Sequence, residues 1–339
     1  MKSKSTRIFV NSLGSLASGI AVSAQLTFIF VFLTGLLSSC NHKDLYEPDA
    51  GFAKVNVVFD WSKAPGATAK GMALYLFPEN GGEMIRYDFG TATGGTADIP
   101  YGNYRALFVN NDVSDVLLRG TGGYETLEAY TRPSFLLEPL GFNVSPKEAN
   151  PNNEAVALAA NRVWMGRDIH VQVFPPTTGN NGVAAPQTLV FYPEEVTTTY
   201  TVEIRNVTNV KYVSAQSLSL SGLSGNYFPA TAKRSALRTT IPFEAQAYEQ
   251  SQTIMGQTYG FGSSLSSNKI HTLVLYVILT DGSKHFYSFD VSKQVNDAPD
   301  PRNVHILISG LNLPQPIDNG GAFNPTVGDW IGEEVDIDL

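Results

Sequence analysis

From Lys54 to Trp61 the chain reads KVNVVFDW, which sets Val55, Val57, Phe59 and Trp61 on one side and polar or smaller residues on the other. A period of two is the pleat of a β-strand with one face buried; no helix can gather those four side chains on one face. The same texture recurs along most of the chain. Gly71–Phe77 (GMALYLF) and Glu83–Phe89 (EMIRYDF) follow, separated by the turn cluster Pro78-Glu79-Asn80-Gly81-Gly82. Ile99-Pro100-Tyr101-Gly102-Asn103-Tyr104 reads as a corner that launches a strand over Arg105–Val109. Ile169–Phe174, Thr188–Tyr192, Tyr200–Val207, Tyr212–Leu220 and Val304–Ile308 carry comparable patterns. Thr272–Leu279 and Lys284–Val291 flank Asp281-Gly282, a dipeptide suited to the tight primed turns of hairpins. The one short helical candidate is Asn153–Ala160 (NEAVALAA). Many short strands punctuated by Gly and Pro predict an all-β chain of sandwich or barrel type.

The amino-terminal forty residues have a different character. Lys2, Lys4 and Arg7 form a basic start, and no charged residue follows until Lys43. The densest apolar run, Leu26–Leu37 (LTFIFVFLTGLL), has the length of a signal-peptide core and is short for a membrane span. It ends in Leu37-Ser38-Ser39-Cys40, and Cys40 is the single cysteine of the chain. The tetrapeptide resembles a bacterial lipobox, in which small residues admit a peptidase and the thiol accepts a diacylglyceryl group. Residues 1–39 are therefore expected to be a lipoprotein signal peptide, and 40–53 a polar tether from lipidated, and usually also N-acylated, Cys40. One acyl chain holds a protein marginally and several hold it stably, which makes the lipid a sufficient membrane anchor.

A lone cysteine excludes an intrachain disulfide framework and any cysteine-clustered zinc or iron–sulfur centre. The net charge of −8 disfavours a nucleic-acid partner held by phosphate neutralisation. Loss of residues 1–39 removes three basic residues and no acidic one, so the polypeptide should stand off anionic head groups. Residues 40–339 are long for one core, and two sandwiches are expected, over 54–165 and 168–312. The boundary falls in the Pro- and Asn-rich stretch Ser145–Arg167, and a Pro/Gly joint with a final acidic strand occupies 313–339. In Glu334–Leu339, Val335, Ile337 and Leu339 face one way, and they form the candidate strand for exchange with another subunit.

Signals for catalysis are thin. The sequence holds no G-x-S-x-G, H-E-x-x-H or G-x-x-x-x-G-K. His271, His285 and His305 fall on expected strands, where solvent-face or hydrogen-bonded roles outweigh a metal site. Glu194 and Glu195 are adjacent, so a strand points them to opposite faces and not across one cleft as a glycosidase requires. Asn110-Asn111-Asp112 with Asp115 offers oxygen ligands but not the Glu-terminated calcium loop, and a turn is favoured. No catalytic residue, metal or diffusible cofactor is expected; the covalent lipid on Cys40 is the one added group.

Seven segments in collinear order carry a family resemblance: CNHKDLY at Cys40–Tyr46, VVFDWSKA at Val57–Ala64, EAYTRP at Glu128–Pro133, YVS at Tyr212–Ser214, LYVILTDG at Leu275–Gly282, APDPR at Ala298–Arg302, and FNPTVGDW at Phe323–Trp330. Together they resemble an uncharacterised family of surface lipoproteins from gut anaerobes, related to fimbrillin-like (type V pilus) anchor and accessory subunits. The resemblance implies two tandem transthyretin-like or immunoglobulin-like β-sandwiches behind the lipoprotein signal peptide. It also implies a non-enzymatic structural or adhesive role at the outer membrane, with pilus subunits as partners. Shaft pilins of that group are cut after an arginine near the amino terminus. Here the first arginine beyond Cys40 is Arg86, inside an expected strand, which fits an uncleaved anchor or accessory subunit. The alternative is a glycan-binding surface lipoprotein of a polysaccharide-uptake system, using aromatic rings at the sandwich rim.

Overall fold

In the computed structural model, residues 51–143, 153–175, 186–316 and 330–335 are described. Leu37, Ser38, Ser39 and Cys40, together with Ile337 and Leu339, lie outside them. The first strands are β1 (Phe52–Phe59), β2 (Met72–Pro78), β3 (Ile85–Phe89), β4 (Gly94–Pro100), β5 (Gly102–Asn110), β6 (Val116–Arg119), β7 (Glu128–Thr131) and β8 (Ala155–Val156). Next come β9 (Trp164–Val173), β10 (Gln187–Phe191), β11 (Glu194–Glu195), β12 (Thr198–Arg205), β13 (Val213–Ser224), β14 (Asn226–Phe228) and β15 (Lys233–Arg234). The remainder are β16 (Arg238–Tyr248), β17 (Thr253–Gly260), β18 (Thr272–Leu279), β19 (Lys284–Asp290), β20 (Asn303–Ser309) and β21 (Ile331–Glu334), with one short helix, α1 (Ser292–Asn296), before β20. The chain is all-β, as its alternation predicts. Among the described residues no helix is long and apolar enough to cross a membrane.

The amino-terminal half is a stack of three layers. A three-stranded sheet, β10-β1-β4, covers one face of a five-stranded sheet, β11-β9-β5-β2-β3. Between them lie Val55, Val57 and Phe59 of β1, Leu74 and Leu76 of β2, Phe108 of β5 and Phe191 of β10, each at most 2% exposed. Phe59 sits at the centre, with ring centroids 5.8 Å from Phe89, 5.9 Å from Phe108 and 5.9 Å from Phe191. The other face of the five-stranded sheet packs Ala73, Tyr75, Phe77 and Leu107 against Val116, Leu127 and Ala129. Those last residues belong to or adjoin a four-stranded sheet, β15-β14-β7-β6. This double burial explains the continuous apolar run MALYLF, for which one covered face would have required alternation.

The carboxy-terminal half is one large sheet, β20-β12-β17-β16-β13-β18-β19-β21, folded over its own core, with β8 pairing alongside β16. The fold line runs through β16. Its residues from Arg238 to Glu244 pair with β13, whereas Ala245–Tyr248 pair with β17. At this corner Gly256 stands opposite Ala245, and a Cβ there would lie 2.7 Å from Leu218 and 3.0 Å from the Glu244 carbonyl. Pro242, a residue that argues against a central strand, is tolerated because the pairing with β8 stops at Thr240 before β17 takes up at Ala245. The enclosed core includes Val202, Ile204, Leu218, Leu220, Ile254, Leu275, Phe289 and Ile306.

Several expectations change in detail. Trp61 is not on β1: Asp60 caps a 3-10 turn over Trp61–Lys63 by accepting from Ser62 N at 2.8 Å. The half-buried indole instead donates to the Ala92 carbonyl at 2.9 Å. The hairpin between β18 and β19 has a three-residue loop, with Gly282 alone at φ +82° and Leu279 N bonded to Ser283 O. That is the turn-plus-bulge form and not the two-residue primed turn. The stretch Asn153–Ala160 is extended, because β8 pairs in parallel with β16 and tertiary pairing overrides helical propensity. The corner before β5 is as expected, closed by Tyr104 Oη donating to Pro100 O at 2.8 Å. The division at 145–167 also differs. β9 and β10 belong to the amino-terminal sheets, and β14 pairs with β7, so the first module draws strands from residues beyond 165.

A buried ion pair ties β8 to the second sandwich. Glu154 accepts from Arg238 Nε at 2.8 Å, Gly222 N at 2.8 Å and Thr240 Oγ1 at 3.1 Å, while Arg238 also donates to the Asn268 and Ile270 carbonyls. The side chains are only 3% and 12% exposed, so an orphaned partner could not be rescued by water. Arg238→Ala is expected to cost about 3–5 kcal/mol in chemical denaturation, and Glu154→Gln with Arg238→Met less than the single change. Beside this pair, His271 is fully buried with Nδ1–H donating to Ser221 O at 3.0 Å. Burial holds both His271 and His285 below the ordinary imidazole value of 6.5. As pH falls below about 6.5 the unfolded chain binds protons that the native chain refuses, so stability drops. The melting temperature is expected to decline between pH 7 and 5, with a shallower decline in His271→Asn.

Candidate functional site

The polar residues singled out from the sequence are scattered and mostly engaged in structure. Glu194 pairs with Lys63 at 2.9 Å on one side of β11. Glu195 turns to the other side and takes a two-pronged bond from Arg162, at 2.9 and 2.7 Å. Asn110 accepts from Trp164 N at 2.9 Å and donates to Asp112, and Asp115 is bound by Asn161. These oxygens lock loops together. His271 precedes β18, His285 lies on β19 and His305 on β20. Among the described residues no group of three His, Cys, Asp or Glu is placed to hold a metal. Trp164 is buried edge-on to Trp61 at 6.1 Å, and the Arg162 guanidinium lies 5.0 Å from the Trp164 ring.

Among the described residues, two features stand out as able to engage a partner. The first is the carboxy-terminal edge. β21 pairs in parallel with β19, Gly332 opposite Phe286, and Val335 N continues the ladder to Ser288 O at 3.0 Å. All four residues of β21 are exposed, Ile331 by 60%. What holds the strand is backbone pairing, the edge-on contact of Trp330 with Tyr276 at 5.7 Å, and close packing of the Phe286 ring on Gly332. A Cβ at Gly332 would stand 2.1 Å from that ring. Of the expected strand Glu334–Leu339, Glu334 closes β21 and Val335 packs on the core, and the remaining four residues lie outside the described ones.

The second is a cleft of about 360 Å³ where the amino-terminal sandwich meets the four-stranded sheet. Gly166, Arg167 and Asp168 come from β9, Tyr192 and Glu194 from the end of β10 and from β11, Tyr227 from β14, and Arg302 from the turn before β20. Tyr192 is 44% exposed, with Lys63 Nζ 5.7 Å from its ring centre. Arg167 donates to the Ala230 carbonyl and Arg302 to the Glu195 carbonyl. Burial raises the Tyr227 phenol above its usual range, against the opposing pull of the Arg302 and Arg167 charges. No local pattern marks this cleft in the sequence, since its residues come from six separated segments.

Comparison with known proteins adds to this geometry. A stretch of 96 residues is 27% identical to a candidate fimbrium anchoring subunit, Fim4B, of Bacteroides ovatus; the match covers 28% of this chain and 28% of that protein's length. The crystal structure of a candidate adhesin from Bacteroides ovatus superposes with a TM-score of 0.59 at 19% identity, over 82% of this chain and 98% of that one. This likeness shows that the two share a fold. The fimbrial anchor protein Mfa2 from Porphyromonas gingivalis aligns at 15% identity with a TM-score of 0.46, over 76% of this chain and 90% of that one. A family model matches residues 39–244, more than half of the sequence, and the chain therefore belongs to the family described as Domain of unknown function (DUF5119).

Proposed function

We propose that the protein is a non-enzymatic, lipid-anchored surface subunit of fimbrial-anchor type, held in the outer membrane through Cys40 and engaging pilus subunits. The observation that carries this reading is the likeness to a candidate fimbrium anchoring subunit, in a chain with the all-β fold of a candidate adhesin. Arg86 supports the uncleaved form. It lies within β3, bonded to Asp88 at 2.8 Å and with its guanidinium 5.4 Å from the Tyr75 ring, so a cut there would open the middle sheet. Lipidation is tested with Cys40→Ser: the native chain should take up labelled palmitate and sediment with membranes, and the variant should do neither. A variant that still sediments with membranes would overturn the anchor.

The assembly element in this reading is the edge strand at the carboxy terminus together with the expected exchange segment that follows it, whose apolar residues are Val335, Ile337 and Leu339. Strand addition draws affinity from backbone hydrogen bonds and register from alternating side chains, and an exposed four-residue edge strand costs little to release. Removal of residues 331–339 is expected to move the melting temperature by no more than about 2 °C. The same truncation should abolish capture of fimbrial subunits from the producing organism. Unfolding of the truncated chain, or capture unchanged, would show that the strand serves only its own sheet.

A further inference from the structure

We propose that the cleft between Arg167, Arg302 and Tyr192 is a binding site for a carboxylated oligosaccharide, a function separate from anchoring and assembly. The charges around it are unevenly satisfied. Glu194 is taken by Lys63 and Glu195 by Arg162. Arg167 and Arg302 meet no carboxylate within ion-pair distance among the described residues; each is fastened to a main-chain carbonyl instead. Asp300, the carboxylate nearest in sequence to Arg302, is bonded by the Arg302 and Asn303 backbone turn and by Asn303 Nδ2 at 2.7 Å. Surface arginines ordinarily spend much entropy when they close on an anion. Both heads line one cleft and each is fastened to a main-chain carbonyl, so a carboxylate entering there would meet partly preorganised donors.

Two further groups point to a sugar and not to an acidic peptide. Asp168 lines the same cleft, with Oδ1 accepting from His170 N at 2.9 Å. A carboxylate there accepts hydrogen bonds from hydroxyl groups, which an oligosaccharide supplies in pairs and an acidic peptide does not. The exposed Tyr192 ring and Val190, 40% exposed, give an apolar wall on which the C–H face of a pyranose can lie. The volume of about 360 Å³ suits one or two sugar rings, at the lower end of ordinary ligand pockets. The overall acidity of the chain also argues for local, geometric recognition of the anion, since its long-range field disfavours one.

The test is calorimetric titration of the detergent-solubilised full chain with trigalacturonate, maltotriose and hexaglutamate. Binding of trigalacturonate alone is expected, weakened about tenfold or more by Arg302→Gln and by Tyr192→Ala. Tyr192 is exposed, so its variant should keep the native melting temperature; Arg167→Gln replaces Arg302→Gln should the latter fail to fold. No binding of trigalacturonate, equal binding of maltotriose or hexaglutamate, or affinity unchanged in Tyr192→Ala and the folded arginine variant would each overturn the proposal. Capture of pilus subunits by Tyr192→Ala should remain native, which separates failure of this site from failure of the anchoring role.

Discussion

Burial of one sheet on both of its faces governs the architecture. The five-stranded sheet has apolar residues pointing both ways along β2 and β5, so it is stable only between two covers. One cover is the β10-β1-β4 sheet, whose strand β10 comes from more than a hundred residues further along the chain than β1. The other is the β15-β14-β7-β6 sheet, half of which is supplied by the stretch between β13 and β16. Neither cover can form until distant segments arrive, and this joins the amino-terminal and carboxy-terminal halves by strand pairing and not by a linker.

That constraint also places the polar chemistry. Wherever the covers end, charged residues collect: Lys63 with Glu194, Arg162 with Glu195, and the two arginines at the cleft. The Lys63–Glu194 pair is exposed and contributes little to stability, so its arrangement is better read as surface shaping than as cement. The Glu154–Arg238 pair is different. It lies beneath the surface and is surrounded by backbone donors and acceptors that leave no lone pair idle. Its value lies in fixing where β8 lies along β16, since an apolar replacement could be equally stable but would not define register.

The two ends of the second sandwich contrast in the same terms. β20 is a parallel edge with Val304, Ile306 and Ile308 buried, and cannot leave without opening the core. β21, on the opposite edge, buries almost nothing of its own and relies on Trp330 and Gly332. A sheet edge of this kind is open to replacement by any extended segment of matching register, and the short exposed strand limits uncontrolled pairing.

Much of the fold was legible in the sequence, because alternation is a local consequence of backbone pleating. The faces of β1, β12 and β20, the β18–β19 hairpin and the Tyr104 corner needed only neighbours in the chain, and so did the lipobox-like segment ending at Cys40. What the sequence could not show is which strands meet. The parallel pairing of β10 with β1 and the join of β14 to β7 depend on apolar area that is covered only when remote segments dock. The β16–β17 hairpin was hidden by Pro242, acceptable only because β8 ends two residues earlier. Trp61 left its strand because Asp60 could cap a turn, and NEAVALAA lost its helix to a place beside β16. The cleft is the extreme case: Arg167, Tyr192, Tyr227 and Arg302 share no spacing rule, and only the packing of sheets brings their side chains together.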